Sequence, residues 1–141
     1  MEGQVYNNVD KLNDRSQLNE VEIRYKYRLP DSFREFLMKY NGSYPLHNII
    51  IVPGGIGPVI LDHFISFNKN SNESIYKYGN ALGNGFFPIA INPDGLIFCL
   101  EKLSGRVYLT DPNVMESHYV TDSFDKLLSK LINEDYLNRL S

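Results

Sequence analysis

The chain has 141 residues, 43% of them hydrophobic and 22% charged, and a formal net charge of −3. That length and balance suit one soluble domain with a single sizeable core that needs no staples. The mild acidity lacks the basic stripe of a general nucleic-acid binder. A lone cysteine, Cys99, excludes a disulfide framework and a thiolate metal cluster.

Residues 1–15 are polar and Asn-rich and read as a loose arm or a short first turn. Residues 1–10 lack the basic-then-apolar layout of a signal peptide. The most apolar stretch, residues 49–61, is broken by prolines and glycines and is too short to span a bilayer. A cytoplasmic location is the expectation.

Leu18, Val21, Glu22 and Tyr25 share one face of a helix, which must end before Leu29-Pro30 because the residue before proline avoids the helical region. Pro30 suits the first position of a second helix, whose apolar stripe is Phe33, Phe36, Leu37 and Tyr40. Asn41-Gly42 closes it, since either residue accepts the left-handed conformation. Ile49-Ile50-Ile51-Val52 and Val59-Ile60-Leu61 read as strands around the loop Pro53-Gly54-Gly55-Ile56-Gly57-Pro58. Residues 63–67 extend the second strand or form another, residues 68–72 are a polar loop, and residues 75–78 make a helical turn.

Strands over residues 86–91, 96–101 and 106–110 follow, joined by Asn92-Pro93-Asp94-Gly95 and by Ser104-Gly105. Both joints carry turn chemistry, so the strands form an antiparallel meander. Phe124, Leu127, Leu128, Leu131, Ile132 and Leu137 make one last helical stripe, with Asp122 as its N-cap. The order predicts an α+β fold, an antiparallel β-sheet flanked by an N-terminal helical pair and a C-terminal helix. Residues 1–15 form the polar arm and residues 16–141 a single domain.

The letters of the helical pair carry more than periodicity. Glu22, Leu29-Pro30, Phe33, Phe36-Leu37 and Tyr40-Asn41-Gly42 stand at the spacing of the SUKH superfamily signature, which this chain resembles. A second block is similar as well: Phe87-Pro88-Ile89-Ala90, Asp94-Gly95, Ile97-Phe98-Cys99-Leu100 and Gly105-Arg106-Val107-Tyr108. Ser123-Phe124 matches the superfamily's ending, so the likeness spans roughly residues 16–132. The chain departs from the pattern at three places. Lys26 and Ser43 stand where members usually have glycine, and Thr110-Asp111-Pro112 replaces an aromatic, Asp and His.

Little in the chain reads as catalytic. The loop at residues 53–58 fits neither dinucleotide nor P-loop spacing. His47, His63 and His118 lack helical metal spacing. Asp62 and His63 are neighbours that alternate to opposite faces of a strand, which keeps them from forming a dyad. Cys99, between Phe98 and Leu100, reads as a buried inert thiol. Glu22 is placed to accept backbone N–H groups at a helix end or loop.

No residue set makes a convincing active site, so the expectation is a non-enzymatic binding module with no cofactor and no metal. Bacterial members of the superfamily it resembles mostly act in the cytoplasm as immunity proteins that bind the toxin domain of a polymorphic or contact-dependent effector, often a nuclease. Fungal members point to the alternative of a regulatory protein- or ligand-binding domain. A toxin domain is then the expected partner, with no direct nucleic-acid or membrane contact. A basic toxin would be met by acids, for which the candidates are Asp31, Glu35, Asp62, Glu73, Asp94, Glu101, Asp111 and Glu116. Tyr44, Tyr76, Tyr78 and Tyr119 are the candidate aromatic anchors. Glu22, Leu29, Pro30, Phe33, Phe36, Leu37, Asn41, Gly42, Pro88 and Gly95 are read as the mainly structural part of the signature.

Overall fold

The computed structural model describes residues 3–140. The order of elements begins with strand β1 (Tyr6–Asn7) and helices α1 (Ser16–Tyr25) and α2 (Asp31–Tyr40). Strands β2 (Tyr44–Pro45), β3 (Ile49–Val52), β4 (Gly57–Ile60) and β5 (His63–Phe64) come next, then the short helix α3 (Ile75–Tyr78). Strands β6 (Phe86–Ile91), β7 (Ile97–Glu101), β8 (Val107–Asp111) and β9 (Glu116–Thr121) precede helices α4 (Phe124–Lys130) and α5 (Glu134–Arg139). The fold is α+β, as the periodicities predict.

Strands β5 to β9 form one five-stranded antiparallel sheet in sequential order, while β1–β2 and β3–β4 are two-stranded pairs. Register follows from alternation. Phe98 and Leu100 of β7, with Val107 and Leu109 of β8, turn inward onto the main core. Ile97 and Cys99 point to the other face, where Leu82, Phe86 and Tyr108 cover them. The inner face meets Leu18 and Val21 of α1, Phe33 and Phe36 of α2, and Phe124 and Leu127 of α4. With no tryptophan in the chain, phenylalanines fill this space. Phe33–Phe124 and Phe36–Phe64 each lie 4.7 Å apart between centroids. Such tilted or edge-on pairs contribute about 1 kcal/mol each beyond the area they bury.

A polar joint sits inside this apolar shell. Asn41 is fully buried, and its Nδ2 donates to the Asp10 carbonyl at 2.7 Å and to Ser66 Oγ at 3.0 Å. Its Oδ1 accepts the Phe67 amide at 2.9 Å, and its own carbonyl accepts the Asp10 amide at 2.8 Å. One side chain thus ties the N-terminal segment, the end of α2 and the chain beyond β5. Gly42 must be glycine, because it holds φ +68° and an added Cβ would lie 3.1 Å from Asp10 Cβ and 3.2 Å from Ser66 Cβ.

Several local expectations change. Within the first fifteen residues, read as a loose arm or a short first turn, the described residues are tied down through residue 12. Tyr6 pairs with Pro45 and packs 5.1 Å from Phe36, and Leu12 is buried. Pro30 is the N-cap of α2 rather than its first helical residue, since its ψ of 143° is extended. Asn41 has φ −51°, so the left-handed step falls on Gly42 alone. Ser123, not Asp122, caps α4, its side chain accepting the Lys126 amide at 3.2 Å.

The last helical stripe is two helices. Leu131 is extended at ψ 124°, and Ile132 instead exchanges two backbone bonds with Ile49, at 2.8 and 3.0 Å. Asn133 then starts α5 by accepting the Tyr136 amide at 2.7 Å. Lys26 ends α1 in the left-handed region at φ 51°, a conformation that costs a non-glycine residue roughly 1 kcal/mol. At the end of α3, Gly79 packs so tightly on Tyr25 that an added Cβ would come within 2.2 Å of the ring.

Replacing Asn41 with Ala strands the buried Phe67 amide and removes the bonds to Ser66 and to the Asp10 carbonyl, which keeps only Asn68 as a side-chain donor. The expected cost is about 2–4 kcal/mol, read as a lower urea midpoint at unchanged slope.

Candidate protein-binding surface

The register of the sheet decides which candidate residues meet. His63 pairs with Ile91, Ile91 with Ile97, Ile97 with Thr110, and Thr110 with Ser117. These five residues form one row across the sheet. Everything just beyond it lies at the same sheet end. That end holds Asp62 before β5, Asp94 in the β6–β7 turn, and the opposed pair Asp111 and Glu116 at the β8–β9 turn. Five strands about 4.8 Å apart make the row about 19 Å wide.

The segments that build this end, residues 40–68, 78–101 and 107–125, carry no lysine or arginine. Among the described residues, the ion pairs of these four acids are with histidine only: Asp62 Oδ2 with His63 Nδ1 at 2.8 Å, and Glu116 Oε1 with His118 Nε2 at 3.5 Å. Val114 and Met115 project from the β8–β9 turn, 65% and 51% exposed, beside Asp111 and Glu116. Tyr44, 38% exposed, stacks on His63 with centroids 4.9 Å apart and joins the β5 side of the rim. Glu73 approaches from the loop before α3, its Oε2 lying 3.9 Å from His63 Nε2 and accepting the Tyr78 hydroxyl.

Other candidates lie elsewhere. Asp31 pairs with Arg28 at 3.7 Å and Glu35 with Arg15 at 3.0 Å, both on the helical side. Glu101 ends β7 at the opposite sheet end and accepts the Ser104 hydroxyl at 2.6 Å. Tyr119 also lies toward that end and donates to Asp122, a bond that raises the tyrosine and lowers the aspartate from their ordinary titration ranges. Tyr76 and Tyr78 are half-buried, and burial, then the bond to Glu73, pushes the Tyr78 hydroxyl up to about 12.

The signature residues act on the scaffold. Glu22 Oε2 accepts the Leu29 amide at 2.8 Å, while Oε1 pairs with Arg34, so one carboxylate spans the joint between α1 and α2. Leu29, Phe33, Phe36 and Leu37 are buried. Pro88 sits at the bulge where β6 slips against β7, and Gly95 takes φ +89° in the turn that carries Asp94.

The expectation that Asp62 and His63 cannot meet is corrected by their 2.8 Å contact. Asp62 precedes the two-residue strand, so strict alternation does not govern its side chain. What sequence reasoning missed was β9, with Ser117 and His118, and the apolar pair Val114 and Met115. Strand β9 has only Val120 and Thr121 buried, which leaves no apolar alternation to read.

The thiol and the imidazoles do not converge. Cys99 lies on the central strand β7, while His63 and His118 lie on the two outermost strands of the sheet. Burial pushes the Cys99 thiol up to about 12, away from the thiolate a nucleophile needs. Among the described residues, no group of three or more His, Cys, Asp or Glu side chains is placed to hold a metal ion. No described helix is long and apolar enough to cross a membrane.

A family model for the SMI1-KNR4 cell-wall family, SUKH_6, matches residues 15–128. The chain belongs to this family of the SUKH superfamily. It is also similar to an SPbeta prophage-derived uncharacterized protein, YokK, of Bacillus subtilis (strain 168). The two are 22% identical over 147 residues, a match covering 87% of this chain and 77% of the relative.

Iodoacetamide at pH 8 is expected to leave Cys99 unmodified in the native protein and to alkylate it fully in denaturant, as read by mass spectrometry. Rapid native labelling would mean that β7 opens easily.

Proposed function

We propose that the chain is a non-catalytic immunity protein that neutralises a bacterial toxin domain by binding it through the acidic end of its sheet. One observation carries the reading. The meander brings Asp62, Asp94, Asp111 and Glu116 to a single rim that lacks lysine and arginine along its own segments.

Such a rim suits a basic partner, including a nuclease whose cleft is built to hold phosphates. Exposed carboxylates steer encounter and reject acidic partners, while adding modestly to affinity because they stay hydrated. Val114 and Met115 supply apolar contact beside them. An interface of standard size takes about 800 Å² from each partner, so the rim would form the acidic core of a footprint that extends past it. Family membership and the prophage-derived relative are in keeping with a protective role.

The direct test co-expresses this chain with the C-terminal domain of the protein encoded immediately upstream. Relief of killing is expected, and Asp111→Lys with Glu116→Lys should slow association at low salt at least about tenfold. Glu35→Lys, on the helical side, should rescue normally. Killing untouched by this chain, or unchanged association by the rim variants, would overturn the proposal.

A further inference from the structure

The acidic rim has a counterpart at the other end of the sheet. There Lys102, in the β7–β8 turn, meets the end of α1 and the loop after α3 around a cleft of about 420 Å³. Arg24, Tyr25, Lys26, Asn80, Asn84 and Lys102 line it, and no carboxylate does. Among the described residues none of the three cations has a salt-bridge partner, although the chain as a whole is acidic. The end of α1 favours cations there, and Lys102 meets its Tyr25 carbonyl, but none of the three charges has an anionic partner in this concave site.

Two of the cations have fixed side-chain contacts. Lys102 Nζ donates to the Tyr25 carbonyl at 3.1 Å, and its backbone amide is fixed by the Gly85 carbonyl at 2.9 Å, next to Asn84. The Arg24 guanidinium lies 5.4 Å from the centroid of the Tyr76 ring. The Gly79–Tyr25 contact locks the end of α3 against α1, which sets Asn80 beside them. Lys26 is the telling residue. It occupies a left-handed position, φ 51°, where glycine would sit without strain. Its charge adds to the two that Arg24 and Lys102 bring to the cleft lining.

We infer that this cleft is a binding site for the phosphoryl groups of a small phosphorylated ligand. Arg24 offers a planar fork of donors, Lys26 and Lys102 offer point charges, and the Asn80 and Asn84 carboxamides add neutral donors. That set matches the several oxygens of a phosphate or diphosphate. The cleft is larger than one phosphate, leaving room for the organic part of the ligand. The site is separate from the proposed toxin-binding rim and does not depend on it.

Inorganic pyrophosphate titrated into the ¹⁵N-labelled full chain at 150 mM salt tests this. Saturable shifts confined to Lys26, Asn80, Asn84 and Lys102 are expected. Lys26→Gly removes the charge while relieving the strain, so it should fold at least as stably yet bind at least about tenfold more weakly. Arg24→Gln should weaken binding similarly. The absence of a saturable shift, or affinity unchanged in both variants, would overturn the assignment.

Discussion

One buried carboxamide holds the molecule together. The sheet, the helical pair and the N-terminal segment each bury apolar surface, but apolar contact alone does not fix their mutual register. Asn41 does so through direction. Its donors reach the Asp10 carbonyl and Ser66, and its acceptor takes the Phe67 amide. Gly42 then lets the backbone pass where no side chain fits. Asn41, Ser66 and Phe67 are buried, and the Phe67 amide has Asn41 Oδ1 as its acceptor, so losing that bond leaves a buried donor unsatisfied, while Asn68 also serves the Asp10 carbonyl and Ser66. Glu22 makes a smaller copy of the same device at the turn between α1 and α2, with one carboxylate shared by a backbone amide and Arg34.

A scaffold set in this way can segregate charge. The long stretches without lysine or arginine look unremarkable along the chain, but the antiparallel register converts them into one continuous rim. The cations gather elsewhere, on the helices and at the opposite end of the sheet around Lys102. A mildly acidic protein thereby presents one acidic end and one basic cleft. For the proposed partner binding this matters more than net charge, since steering depends on where the field is focused.

Much of this was legible in the sequence, and the failures share a cause. The stripes of α1, α2 and α4 and the turns of the meander are local patterns, and they stand where periodicity and turn chemistry put them. The buried N-terminal segment was missed because Tyr6 and Leu12 are isolated in polar sequence, and their burial depends on Phe36 and Asn41 far along the chain. The break at Leu131 was invisible for a similar reason. The stripe runs on through Ile132, while the competing bonds come from Ile49. Asp62, Asp94, Asp111 and Glu116 could be picked out as acids, but nothing local separated them from Asp31, Glu35 and Glu101. Only the register does that. The contact between Asp62 and His63 escaped because alternation was assumed for a segment in which the strand is two residues long.

Native-state hydrogen exchange tests the account most directly. If Asn41 makes the chain one cooperative unit, the amides of Asp10 and Phe67 should open with the same free energy as those of Phe98 and Leu100 in the central strand. Exchange of the Asp10 and Phe67 amides through a separate opening, several kcal/mol below that of the strand, would contradict it. The joint would then be ornamental, with the sheet standing on its own.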